Sequence, residues 1–146
     1  MSYQALYRQW RPNHFDDVIE TTLLNIFYAG SFKTMVPKLI ADNFEDMELI
    51  RPMVFVREKD IQNYMNYVGI NPLSCGCEVE RKQLDSKRRE MKQLIASLKK
   101  NFSDVDKCIY KAAENVNIDR VLGYKQDGKA YKYIDYYKKD KTNNKD

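Results

Sequence analysis

Glycine is scarce and scattered in this chain. Its 146 residues hold five, Gly30, Gly69, Gly76, Gly123 and Gly128. None is spaced to build the phosphate-cradling loop of a Walker or dinucleotide-binding motif. Cysteine is also sparse, and the count of three is odd; with no signal-peptide pattern, a reducing compartment is expected. No apolar run approaches the length of a membrane span, so the expectation is a cytoplasmic protein with no membrane partner. Nor does one charge dominate: 25 basic and 21 acidic side chains leave a net +4. Any argument for a nucleic-acid partner must therefore rest on local clustering. What remains, 43% hydrophobic and 32% charged residues, describes a soluble globular chain large enough to bury a core.

Local clustering is found after residue 70. Cys75-Gly76-Cys77 places two soft thiolates one residue apart on a loop, followed at once by a basic helical stretch from Arg81 to Lys100. Thiolates suit zinc, copper or an iron–sulfur cluster, and a cationic helix suits phosphate. One Cys-x-Cys is less specific than paired Cys-x-x-Cys motifs, and it reads equally well as two ordinary reduced cysteines beside a solvated helix. From Arg81 to Lys100 there are eight basic and two acidic side chains, a balance that favours a polyanion.

Four helices are expected. The first starts at Asn13 as N-cap, with Asp16, Asp17 and Glu20 where the helix dipole favours negative charge. Ile19, Leu23, Ile26 and Phe27 form its core stripe, and Gly30 stops it. His14, Asp17 and Thr21 share another face, either a solvated helix start or a polar edge facing metal or phosphate. Val36 to Ala41 and Met47 to Met53 form a hairpin-like pair of apolar runs, which Pro37 and Pro52 confine to edges or ends.

The second helix spans Arg57 to Val68, burying Ile61, Tyr64, Met65 and Val68, with Gly69 as its stop. The third buries Leu84, Met91, Leu94, Ile95, Leu98 and Phe102. Ser103 or Asp104 caps the fourth, with Val105, Ile109, Ala112, Ala113 and Val116 inward and Cys108 as a small core residue. Beyond it the chain is rich in lysine and tyrosine. Tyr131, Tyr133, Tyr136 and Tyr137 are placed either to stack on exposed bases or to pack back on the domain. Asp140 to Asp146 is expected to fray.

Two resemblances organise these residues. Met1 to Pro12 resembles the N-terminus of the DNA polymerase III gamma/tau clamp-loader subunit, and Phe15 to Val18 fits that family's Phe-x-Asp-Val continuation. No Walker loop follows, which argues against a clamp-loader-related protein.

From about Asn13 to Tyr124 the chain resembles the C-terminal part of the tRNA 2-thiocytidine synthetases, PP-loop ATP pyrophosphatases that thiolate a cytidine of the tRNA anticodon loop. His14-Phe15-Asp16-Asp17-Val18-Ile19-Glu20-Thr21 is similar to their Gly-His-His-x-Asp-Asp-x-x-Glu-Thr segment. Lys33 to Leu39 is similar to Lys-x-Met-x-Pro-Lys-Leu. Ile50 to Ile61 carries the Ile-Arg-Pro and Val-Arg-Glu-Lys-Asp-Ile signature, the most specific piece. Ser86 to Glu90 and Ala113 to Asn117 are similar to the later helices.

The departures are equally definite. These 146 residues contain no Ser-Gly-Gly-x-Asp-Ser loop and no central Cys-x-x-Cys; Asn13 replaces the first histidine, and the late cysteines are Cys-x-Cys.

By resemblance, His14, Asp16 and Asp17 lie at the edge of a nucleotide and magnesium site. Cys75 and Cys77 are the candidate catalytic sulfur carriers or cluster ligands, and Lys82, Lys87, Arg88, Arg89 and Lys92 contact tRNA. The family uses ATP, magnesium and an iron–sulfur cluster. Two cysteines cannot complete a four-iron cluster, although a homodimer pooling two pairs could.

The expected organisation is a gamma/tau-like segment over 1–12, a thiolase-like part over 13–124 and a Lys/Tyr-rich, partly disordered tail over 125–146. The expected fold is a mostly helical α/β remnant with about four helices, a short hairpin or two strands, and no complete parallel sheet. It corresponds to an incomplete C-terminal part of the PP-loop fold, with an exposed apolar face on its first helix.

The meeting of both likenesses at Phe15-Asp16-Asp17-Val18 suggests a fused or truncated gene. The functional expectation is a tRNA thiolation protein inactive on its own; the alternative is a non-enzymatic RNA-binding module.

Overall fold

A computed structural model describes residues 13–40, 48–70, 81–135 and 137, with the backbone alone for 81–85. The gamma/tau-like segment, Cys75, Cys77, Tyr136 and residues 140–146 lie outside the described residues, as do the side chains of Lys82 and Leu84. The chain divides into two compact units, Met1–Ala113 and Glu114–Asp146. Among the described residues there are four α-helices of ten residues or more, a further helical stretch at 133–135 and 137, one 3-10 turn and two separate two-stranded antiparallel sheets. This is the mostly helical α/β arrangement expected, with a second hairpin in addition. No helix among the described residues is long and apolar enough to cross a membrane.

Helix α1 (Phe15–Ala29) begins one residue later than expected, because His14 and not Asn13 is the N-cap. The His14 ring accepts a hydrogen bond from the Asp17 amide at 3.3 Å, and the Asp17 carboxylate accepts one from the His14 amide at 3.1 Å. This reciprocal box satisfies two amides that a helix start leaves without partners. Gly30 ends the helix at φ 57°, a left-handed turn that costs glycine little.

Strands β1 (Lys38–Ile40) and β2 (Glu48–Ile50) pair with Leu39 opposite Leu49. Helix α2 (Glu58–Val68) has no side-chain cap from Arg57. Asp16 of α1 caps it instead, accepting the Glu58 amide at 2.7 Å. The Phe15 amide bonds the Val56 carbonyl at 2.9 Å, so the starts of α1 and α2 are fastened together.

Helices α3 (Arg81–Lys99) and α4 (Val105–Glu114) complete the core. Ile19 and Leu23 of α1 meet Met91 and Ile95 of α3, with Phe15, Leu24, Leu94, Val105, Ile109 and Tyr110 around them. The expected stripes are therefore correct near the seam and wrong beyond it. Ile26 and Phe27 on α1, Tyr64 and Val68 on α2, and Leu98 and Phe102 at the end of α3 are exposed. Cys108 is exposed as well, not a core residue, and so are Ala112 and Val116. Periodicity finds a helix face but does not say how far a partner covers it. On α1 that cover stops near Asn25, which leaves Ile26, Phe27 and Tyr28 exposed.

The second unit holds a 3-10 turn (Ile118–Arg120) and strands β3 (Gly123–Gln126) and β4 (Lys129–Lys132). Its turn residues Asp127 and Gly128 both have positive φ, 50° and 73°. That geometry matches the twist of a tight hairpin, and Asp-Gly is among its strongest sequence signals. Tyr124 and Tyr131 stack across the pair at 5.0 Å. Gly123 is required by closeness, since a Cβ there would lie 2.6 Å from the Tyr131 carbonyl oxygen.

Truncation should separate seam from surface. Ile19→Ala removes a side chain 1% exposed and should cost about 3 kcal/mol in urea denaturation. Phe27→Ala, at a position 59% exposed, should change stability by no more than about 0.5 kcal/mol.

Candidate functional site

The acidic start of α1 faces the basic surface of α3. Asp17 and Glu20 are three residues apart, and Arg88 and Lys92 are four apart, so each pair occupies one face of its helix. Arg88 donates to Asp17 at 3.1 Å and lies 3.6 Å from Glu20. Lys92 lies 3.8 Å from Glu20 and bonds Glu58 of α2 at 2.8 Å. Two cations thus hold carboxylates from two helices.

Glu20 is 2% exposed. Burial pushes its carboxyl up from 4.5 to about 7; Lys92 and Arg88 oppose that rise, while Asp17 and Glu58 add to it. It therefore changes charge near neutral pH. Burial works against the Lys92 ammonium, but its hydrogen bond to Glu58 and the charges of Glu20 and Glu58 outweigh this and leave its pKa raised. Beside Glu20, the buried hydroxyl of Thr21 has no hydrogen-bond partner among the described residues.

A second charged knot lies on α4. Asp106, 1% exposed, accepts from Arg57 at 2.5 Å and from Lys99 at 2.6 Å. Burial would raise its pKa, but those two bonds, the Lys107 amide and the Arg57 charge outweigh it and bring it from 3.8 down to about 2. Arg57 also lies over the Phe15 ring at 4.8 Å, tying this knot to the start of α1.

The structure brings His14, Asp16, Asp17, Arg88 and Lys92 together. Lys87 sits apart, over the Tyr28 ring at 4.6 Å, and Arg89 is exposed. Sequence reasoning did not assign Glu20 to the site. Its three-residue spacing from Asp17 was visible, but that it faces Arg88 and Lys92 depends on how α3 packs. Arg57, Glu58, Lys99 and Asp106 were missed for the same reason.

The acidic edge is already occupied by protein donors. One Asp16 oxygen holds the Glu58 amide, and the two Asp17 oxygens hold the His14 amide and Arg88. Among the described residues no three His, Cys, Asp or Glu side chains are grouped to hold a metal ion. The described part of this edge contains no glycine loop that could cradle a triphosphate.

Comparison with known proteins adds the following. The chain is 38% identical over 116 residues to the tRNA-cytidine(32) 2-sulfurtransferase of Pelobacter propionicus, covering 80% of this chain and 42% of that protein. It is 40% identical to the enzyme of that name from Geotalea uraniireducens, covering 77% and 45%. For Vibrio vulnificus the figures are 36% identity, 71% and 33%. The chain thus spans less than half the length of these relatives. No family model matches the chain, and neither does any solved structure. These relatives do not bear on the gamma/tau-like start.

The two buried carboxyls make opposite predictions. Glu20 has a raised folded pKa, so between pH 4.5 and about 7 the unfolded chain releases this proton first and stability falls as pH rises. Glu20→Gln should remove that fall, a relative gain of up to about 3 kcal/mol above neutral pH. Asp106 has a depressed pKa, so its contribution is full above 3.8 and disappears as pH falls toward about 2. Asp106→Asn should cost about 2 kcal/mol at neutral pH and little in strong acid. Urea denaturation of both variants across this pH range checks the signs.

Proposed function

We propose that this chain works as the C-terminal, tRNA-contacting part of a tRNA-cytidine thiolation protein. The observation carrying this reading is the 38% identity over 116 residues to a tRNA-cytidine(32) 2-sulfurtransferase. The joined starts of α1 and α2, braced by α3, support it as a built polar edge instead of a loose helix face. In this reading the helices and first hairpin are the C-terminal share of a PP-loop fold.

Thiolation in this family requires ATP to activate the cytidine carbonyl oxygen and sulfur to displace AMP. These 146 residues carry no Ser-Gly-Gly-x-Asp-Ser loop, so the proposal assigns activation to residues outside them and no ATP turnover to the chain alone. Arg88 and Lys92 spend their charge on Asp17, Glu20 and Glu58. The phosphate-facing role therefore falls mainly on Lys87 and Arg89, with Lys82 beside them in the sequence. Cys75 and Cys77 remain the proposed sulfur or cluster ligands, in a homodimer if four thiolates are needed.

A non-enzymatic RNA-binding module is the second reading, favoured by the exposed Lys87 and Arg89. The purified chain should bind a tRNA transcript with an affinity that falls steeply with salt. Lys87→Gln with Arg89→Gln should make the slope of log affinity against log salt shallower by about 1.5. Salt-independent binding would overturn both readings. ATP-dependent thiolation by the chain alone would overturn the inactive assignment, and iron and sulfide retained after anaerobic purification would favour the thiolation reading over the module.

A further inference from the structure

We propose that the β3–β4 hairpin is a second RNA-contacting element, one that takes a single-stranded segment. The choice of RNA over another polyanion rests on the tRNA reading above; the site itself rests on separate observations in the second unit. From Arg120 to Lys132 there are four basic side chains and one acidic. Lys125, Lys129 and Lys132 are exposed, and among the described residues none has an ion pair. In the first unit, by contrast, Lys92, Lys99, Arg57 and Arg88 are all held by carboxylates. Asp135 lies close, its carboxylate accepting the Lys132 amide at 3.0 Å, but among the described residues no carboxylate is ion-paired with these three ammonium groups, which leaves them to face an external anion.

The register sorts these residues onto two faces. Tyr124 pairs with Tyr131 and Gln126 with Lys129, so these four share one face; Gly123 with Lys132 and Lys125 with Ala130 share the other. On the first face the stacked tyrosines lie beside Lys129, with Tyr131 still 37% exposed. On the second, Lys125 and Lys132 stand beside Gly123 and Ala130, so little bulk keeps a backbone away. A partly exposed tyrosine ring with adjacent lysines suits unpaired bases joined by phosphates, because stacking needs a free base face and lysine supplies the charge that meets phosphate. A duplex keeps its base faces covered and could use the lysines alone.

The full chain, its Lys125→Gln/Lys129→Gln/Lys132→Gln variant and Tyr131→Leu are titrated by fluorescence anisotropy with a single-stranded RNA, a duplex RNA and a tRNA transcript across salt. The triple variant should lower the salt slope on single-stranded RNA by about 2. Tyr131→Leu should leave that slope unchanged while weakening single-strand binding about tenfold and sparing the duplex. Preservation of the hairpin amide NMR signals shows that both variants keep the structure. An unchanged slope in the triple variant overturns the hairpin site while leaving the tRNA reading intact. Equal losses from Tyr131→Leu on duplex and single strand overturn the single-strand assignment. No binding of any RNA by the unmodified chain overturns this inference and the tRNA reading together.

Discussion

A carboxyl removed from water has to be neutralised, and the position of α3 depends on how Glu20 meets that requirement. An isolated buried carboxylate costs several kcal/mol, whereas one flanked by cations or protonated costs much less. Arg88 at 3.6 Å and Lys92 at 3.8 Å lie one helical turn apart and bracket it. The same turn of α3 carries Met91, and the next brings Ile95 against Ile19 and Leu23. Sliding α3 by one residue would break the charge pairing and the apolar contact together. Two kinds of interaction with the same helical period thus specify one register.

That seam then organises its neighbours. Asp17 completes the cap of α1 with one oxygen and binds Arg88 with the other. Asp16 caps α2, and Lys92 reaches Glu58 in the first turn of α2. Consecutive acidic residues of one helix therefore terminate a second helix and dock a third. The Asp16-Asp17 pair, which the family resemblance assigns to the edge of a nucleotide and magnesium site, works in the folded chain as a structural junction. This also explains why Arg88 and Lys92, chosen from sequence as phosphate contacts, face inward toward carboxylates.

Local signals were legible and distant ones were not. Gly30 and Gly69 marked helix ends because a left-handed residue is needed there, and both have positive φ. The Val36–Met53 pattern gave the first hairpin because two short apolar runs and the placement of prolines are local properties. The exposure of Phe27, Tyr64 and Phe102 was not legible, since it depends on where a facing helix ends. Cys108 was misplaced by the same reasoning: lying near an apolar face does not mean that the face is covered at that turn. The second hairpin does carry a local signal, Asp127-Gly128 between tyrosine-bearing strands, within a stretch whose composition reads as a Lys/Tyr-rich tail.

The distribution of charge between the two units bears most directly on function. A net charge of +4 says little while most acidic and basic groups can cancel, and in the first unit many of them do. Arg57 and Lys99 are held by Asp106, Arg88 by Asp17, and Lys92 by Glu58. The charge these groups offer a polyanion is correspondingly reduced, because releasing a cation from a carboxylate offsets the gain from meeting a phosphate. Long-range attraction therefore comes from groups such as Lys87, Arg89 and the hairpin lysines, which have no ion pair among the described residues. It is the pairing of the basic residues, more than their number, that decides which surfaces of this chain can attract a polyanion.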